Sequence, residues 1–358
     1  MRRPSVPSGS GGLRVTEYVA VEDLAERFAH YVAHQWPDAS GVEVTDLARI
    51  HGGASRETYR LRLRSSRGEQ GLILRRDPPG SLIETDRATE VLFYRAFQGS
   101  SVPVPRILWL EEESTWLDRP FFVMEAIEGG EASPQALLAP PYDALAEQIG
   151  QKKWQILGEI HRADPAALGL VAALPAPELD ACWLRELDHW EGVLDEDELA
   201  PQPIGRAAIR WLRRNPPPPA QKLTAVHADY RTGNFLVDNS GEIIGILDWE
   251  MAHLGDPLED LASSLNRVWH WARDERAGGL LPRKRAVEIW EAASGLRADP
   301  QALHWWDLFS SVKGLGIWIS SGQEYAHGVN VDPVLGFTSW WLTNSQNRAI
   351  LETMGKLA

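Results

Sequence analysis

The chain has 358 residues, a length that suits one large two-lobed unit or two coupled domains. Its 44% hydrophobic and 24% charged residues are ordinary for a globular protein with a sizeable core. The net charge of −14 opposes general nucleic-acid binding, which needs a basic face toward phosphates, and the single cysteine, Cys182, rules out an intrachain disulfide and fits a reducing compartment.

Residues 1–12 are Ser/Gly/Pro-rich with Arg2 and Arg3, and no apolar run follows. Neither a signal peptide nor a membrane span is expected there. Residues 1–14 are expected to form a disordered tail, and the protein to be cytoplasmic with no membrane partner. Helical apolar spacing covers 16–35 through Tyr18, Leu24, Phe28, Tyr31 and Val32. Strand-like runs follow at 42–50, 58–63 and 71–76, with a polar turn at 65–71. A helix is predicted over 86–98, an extended segment over 103–110 and a buried strand over 120–127, ended by Gly129 and Gly130. This order predicts a mixed, mainly antiparallel lobe over residues 15–128, with a connector near 124–132.

Helical patterns dominate the C-terminal lobe, 129–358. They cover 142–162, 181–194, 204–214, 258–275, 285–294, 300–320 and 335–354. Pro216 to Pro219 form a rigid stop. Two short strands, 235–237 and 242–247, flank a turn at 238–241. Twelve of the sixteen Trp lie after residue 180. Trp305, Trp306, Trp318, Trp340 and Trp341 suit either a helix–helix core or the aromatic wall of a ligand cleft.

The chemistry concentrates at V-H-A-D-Y-R-T-G-N-F-L-V-D-N-S-G-E-I-I-G-I-L-D-W-E, residues 226–250. Phosphoryl transfer needs a carboxylate to orient the attacking hydroxyl, hard oxygens for magnesium and a cation near the phosphates. Asp229 supplies a carboxylate on a loop, Asn234 an amide oxygen five residues on, and Arg231 a cation between them. Asp248 ends the second strand, and the hairpin returns it toward Asn234. Each residue alone also fits a plain turn. The combination His-x-Asp-x-Arg-x-x-Asn, then strand, turn, strand and Asp, is far more specific.

These residues resemble the aminoglycoside phosphotransferase and choline-kinase-like superfamily, whose loop reads H-G-D-x-x-x-x-N and whose following strand ends I-D. The resemblance implies an α+β, protein-kinase-like bilobal fold that uses ATP and Mg²⁺. Asp229 would be the catalytic base, and Asn234 and Asp248 the metal ligands. Ala228 stands where the family usually has Gly, a change of little cost unless the backbone there has positive φ. H-G-G-A-S-R-E-T-Y-R-L, residues 51–61, looks like the phosphate-covering turn, with Gly52, Gly53 and Ser55 toward the nucleotide. Arg75 replaces the usual strand Lys and would pair with Glu90 on the next helix, while Arg76 faces the other way. Glu125 and Ala126 fall at the hinge, where backbone groups would meet adenine.

I-L-R-R-D-P-P-G, L-G-E-I-H-R-A-D-P-A-A-L-G-L and D-W-E-M-A-H-L-G-D-P-L-E-D-L resemble the branch that includes kinase domains fused to acyl-CoA dehydrogenases. That branch implies a hydroxyacyl-CoA as acceptor. An aminoglycoside or choline-like amino alcohol is the second expectation, and a non-catalytic nucleotide-binding protein the third. His161, His227, Asp256 and Asp260 read as structural, Asp260 as a loop-tethering or helix-start acid, and Glu250 as a brace for the loop.

Overall fold

The computed structural model describes residues 21–50, 57–77, 87–270, 274–329 and 333–357. Its N-terminal part is a fully antiparallel sheet in the order β1-β2-β3-β5-β4, built from β1 (Glu43–Ile50), β2 (Glu57–Ser65), β3 (Gly68–Arg76), β4 (Ile107–Glu111) and β5 (Phe121–Glu125). Alternation explains its two faces. Tyr59, Leu61, Leu63, Leu72 and Leu74 turn to one core, sealed by α1 (Val21–Gln35) through Phe28, Tyr31 and Val32. Tyr31 meets Phe121, Trp109 and Trp116 edge-on at ring distances of 4.9, 5.8 and 5.4 Å. Each such buried aromatic contributes about 2–3 kcal/mol. The opposite face receives α2 (Arg87–Phe97), whose Val91, Phe93, Tyr94 and Phe97 join the second, larger core.

The connector lies on a hairpin formed later in the chain. Glu131 and Val237 exchange both backbone hydrogen bonds, at 2.8 and 2.9 Å. The Ile127 side chain occupies the space a Cβ would take at Gly245, so glycine there lets the connector close on the hairpin.

The remainder is helical. Short α3 (Pro134–Leu137) precedes α4 (Ala146–Arg162), α5 (Leu170–Ala173), α6 (Cys182–Asp197) and α7 (Pro203–Arg214). Then come β6 (Thr224–Val226), the hairpin β7 (Phe235–Val237) and β8 (Ile243–Ile246), and β9 (His253–Gly255), which pairs with β6. α8 (Pro257–Ser264), the two-residue strands β10 (Arg276–Ala277) and β11 (Leu281–Pro282), α9 (Arg283–Ser294), α10 (Pro300–His327) and α11 (Pro333–Thr353) complete it. The helix expected over 258–275 therefore stops early. Asn266 accepts the N–H of Val268 at 3.0 Å and donates to Ser310 and Ser311 on α10, which turns the chain away from the helix axis. Among the described residues, no helix is long and apolar enough to cross a membrane.

The terminal Trp group divides. Trp305 and Trp306 are core residues, 1% and 0% exposed, with indole N–H groups donating to the Leu212 carbonyl and to Asp256. Trp340 and Trp341 lie on the surface of α11, and Trp318 faces Trp269 at 6.5 Å.

Candidate active site

The loop between β6 and β7 is built around one buried carboxylate. Asp260, fully buried near the start of α8, accepts the N–H of His227 at 2.6 Å and that of Ala228 at 2.7 Å. His161 of α4 also donates to it, at 3.2 Å. The tautomer follows from the chain of bonds. Trp290 can only donate, so its 2.8 Å bond makes His161 Nδ1 the acceptor and leaves the proton on Nε2, toward Asp260. Burial pushes the Asp260 carboxyl up, but the hydrogen bonds from the His161 ring and the His227 N–H outweigh this and hold it below the usual range.

That tether pins a strained residue. Ala228 has φ of 69°, so the condition under which its replacement of glycine becomes costly is met. A left-handed Ala costs roughly 1–2 kcal/mol, which two hydrogen bonds to a charged, buried acceptor offset. His227 then lies beneath the loop. Its Nδ1 accepts the Asp229 N–H at 3.3 Å, its Nε2 meets the Leu247 carbonyl at 2.9 Å, and its ring rests on Trp249 at 4.6 Å.

Asp229 follows, with its side chain 21% exposed. Asn234 Nδ2 donates to Asp229 Oδ2 at 2.6 Å and to its carbonyl at 2.9 Å. Arg231 Nε donates to both carboxylate oxygens at 3.2 and 3.1 Å, and its guanidinium lies 5.1 Å over Trp269. Arg231 is thus first a partner of Asp229; any phosphate contact falls to its terminal nitrogens. Gly233, with φ of 116°, is required here, because a Cβ would lie 2.8 Å from Arg231 Nη1.

Phe235 pairs with Ile246 across the β7–β8 hairpin, and the Leu247 N–H donates to the Asn234 carbonyl at 2.9 Å. That register sets Asp248 beside Asn234. Asp248 is itself left-handed, with φ of 67°, and its N–H donates to the Tyr94 hydroxyl at 2.9 Å. Tyr94 lies one turn after Glu90 on α2, so one helix face reaches both Asp248 after β8 and Arg75 on β3. The helix predicted over 86–98 did not single out Tyr94; its four-residue spacing from Glu90 is the signal that marks it.

Arg75 on β3 closes the arrangement from above. It contacts Glu90 at 2.5 Å, Asp248 at 3.0 Å and Glu250 at 3.4 Å, while Arg76 turns to Glu57 on the other face. Burial pushes the Asp248 carboxyl up, but Arg75 foremost, then Arg231, hold it below the usual range, so it stays ionised. Three carboxylates around one guanidinium leave an excess charge of about −2 at neutral pH. That excess matches a divalent cation. Asn234 spends its amide N–H groups on Asp229, so Oδ1 remains as its donor, and Asp248 offers carboxylate oxygens. Both are the hard ligands that magnesium takes, and the residues present fit this ion.

At the expected hinge the backbone donors are already taken. The Glu125 N–H is spent on the Arg106 carbonyl at 2.9 Å, and the Ala126 N–H on the Gly71 carbonyl at 3.0 Å. The Glu125 side chain pairs with Arg106 on the surface. Sheet pairing has consumed both donors, and only carbonyls of these residues remain for a ligand. Gly52, Gly53 and Ser55 lie outside the described residues.

The phosphotransferase enzyme family matches residues 46–304. Mouse acyl-CoA dehydrogenase family member 10 is 31% identical over 61% of this chain and 20% of its own length. The probable acyl-CoA dehydrogenase IBR3 of Arabidopsis thaliana is 29% identical over 61% of this chain and 27% of its own. The chain thus corresponds to about a quarter of these curated relatives or less. Among solved structures, a candidate aminoglycoside phosphotransferase from Ralstonia eutropha JMP134 aligns over 91% of this chain and 98% of its own, at a TM-score of 0.68 and 20% identity. Plasmodium vivax ethanolamine kinase aligns over 87% and 83%, at 0.57 and 12%. The fold is therefore the bilobal α+β fold of these kinases, and the chain belongs to the phosphotransferase enzyme family.

Proposed function

We propose that this phosphotransferase passes the γ-phosphoryl group of ATP, bound with Mg²⁺, to a hydroxyl of a small molecule, and that a hydroxyacyl-CoA is the acceptor. The observation that carries the reading is the convergence of Asp229, Asn234, Asp248, Arg75 and Glu90 from separate elements on one junction. Residues 15–128 form the nucleotide-binding lobe in this reading, and 129–358 the catalytic and acceptor lobe.

The nucleotide–metal pair supplies a transferable phosphoryl group whose charge is partly neutralised. The chain's own residues do the rest. Asp229 is oriented by Arg231 and Asn234: Oδ2 accepts from both, whereas Oδ1 accepts from Arg231 alone and keeps a lone pair for an incoming hydroxyl. It orients that hydroxyl and takes its proton. Asn234 Oδ1 and Asp248 hold the metal. Arg75, kept in place by Glu90, faces the phosphates. Backbone carbonyls at Glu125 and Ala126 remain as acceptors for the nucleotide base.

Relatives bearing acyl-CoA dehydrogenase names support the acyl-CoA acceptor. An amino-alcohol acceptor has its own support in the net charge of −14, in the ethanolamine kinase, and in an aminoglycoside phosphotransferase, APH(4)-Ia, solved with AMP-PNP and hygromycin B. ATP consumption measured across hydroxyacyl-CoAs, aminoglycosides and choline-like alcohols decides between them. Asp229→Ala is expected to cut turnover by about 10²–10⁴-fold while Mg·ATP still binds. Full turnover by that variant removes Asp229 from the mechanism.

A further inference from the structure

Arg75 carries more partners than a strand cation paired with a helix glutamate requires. One terminal nitrogen meets Glu90 at 2.5 Å; the other is shared between Asp248 at 3.0 Å and Glu250 at 3.4 Å. The guanidinium sits on β3 with its carbon 5.8 Å from the Phe122 ring, and its side chain is 10% exposed. Glu250 lies in the short turn Trp249–Met251 directly after Asp248, and its side chain is 13% exposed. Trp249, fully buried against Phe93, Phe97 and His227, anchors that turn.

The two partners of the shared nitrogen differ in what the chemistry asks of them. Asp248 has to give its oxygens to a metal, which weakens its hold on Arg75. With Glu90 alone the planar fork keeps one anchored end and can swing about it. Glu250 supplies a second anchor on the side where Asp248 lets go. A lysine would have to meet Glu90 and Glu250 from a single nitrogen, whereas the arginine fork gives each carboxylate its own nitrogen.

We infer that Glu250 is a positioning residue, which holds Arg75 toward the nucleotide while Asp248 is engaged by metal. This rests on the phosphotransferase reading above.

The test compares the full-length chain with Glu250→Gln, Arg75→Lys and the double variant, by two readouts. The first is denaturant unfolding without nucleotide or metal. The second is Mg·ATP affinity by calorimetry, alongside KM, kcat and the Mg²⁺ concentration for half-maximal binding. The expected results are a non-additive unfolding cycle for the pair, and a roughly tenfold loss of Mg·ATP affinity and rise in KM in Glu250→Gln. kcat should fall less than about threefold, and the Mg²⁺ midpoint should stay within about twofold. In the Arg75→Lys background the same change should cost less than about threefold. Should Glu250→Gln not fold, Glu250→Asp, which withdraws the carboxylate by one methylene, carries the same expectation.

Unchanged Mg·ATP affinity overturns the proposal. So does an equal tenfold loss in the Arg75→Lys background, which would make Glu250 act without Arg75. A large shift of the Mg²⁺ midpoint with an additive unfolding cycle would make Glu250 a metal ligand, and overturns it as well. A wild-type chain that binds no Mg·ATP overturns the phosphotransferase reading and the inference with it; wild-type binding with an unaffected variant overturns the inference alone.

Discussion

Two buried lysines make the sharpest energetic test of this structure. Lys153, on α4 beneath the β6–β7 loop, is 0% exposed, and its Nζ has no hydrogen-bond partner among the described residues. Its surroundings are the rings of Trp154 and Phe235, at 4.7 and 5.9 Å. Burial, with a contribution from Arg231, pushes the amine down from 10.5 to about 7. At about 1.4 kcal/mol per tenfold, the gap sets a ceiling of about 5 kcal/mol on the cost of keeping this group; the two rings offset part of it. The unfolded chain stays protonated up to 10.5 and the folded one only up to about 7. The cost is therefore full below pH 7, and shrinks as pH rises toward 10.5. Lys153→Met, of similar shape, is expected to raise stability by about 2–5 kcal/mol at pH 6 and by little at pH 10.5. Lys313 is the control. It is 4% exposed, but its Nζ meets the buried Glu259 at 2.9 Å. Lys313→Met removes one of the two partners of that carboxylate, leaving His253 at 3.1 Å, and is expected to destabilise the fold by up to about 3–5 kcal/mol. Urea unfolding from pH 6 to 10 measures both. A Lys153→Met variant less stable than wild type at pH 6, or a gain that grows with pH, refutes the reasoning.

Two further outcomes follow from the loop and the metal strand. Ala228→Gly removes the left-handed strain at φ of 69° and, after the entropy that glycine restores to the unfolded chain, is expected to gain up to about 1 kcal/mol in urea unfolding; a loss of stability counts against the strain. Asp248→Ala is expected to abolish the Mg²⁺ dependence of ATP binding in calorimetry, while Mg²⁺-dependent affinity equal to wild type removes Asp248 from the ligand set.

Much of the candidate site was legible because it is local. Asp229, Arg231, Asn234 and Asp248 sit on one loop and hairpin whose turn is written in the sequence. There Asp238 Oδ1 accepts the N–H groups of Ser240 and Glu242, at 2.8 and 3.0 Å. The strand–helix order of the N-terminal sheet was equally readable, since period-2 and helical apolar spacing both appear within short windows. β6, β9, β10 and β11 were missed because two or three residues show no period. At the expected hinge the sequence did not show that the Glu125 and Ala126 donors are taken by Arg106 and Gly71, distant along the chain.

The sequence alone determined which polar groups could do phosphoryl chemistry and on which side of a turn each stands. Apart from the Arg75–Glu90 pair that the family resemblance implied, it did not determine their partners. That Asp260 clamps Ala228, that Tyr94 meets Asp248, and that Arg75 also reaches Asp248 and Glu250 are contacts across 32 to 175 positions of chain. Local spacing carries no information about such contacts. They form only when the two lobes bury their apolar faces and leave these few charges to satisfy one another at the junction.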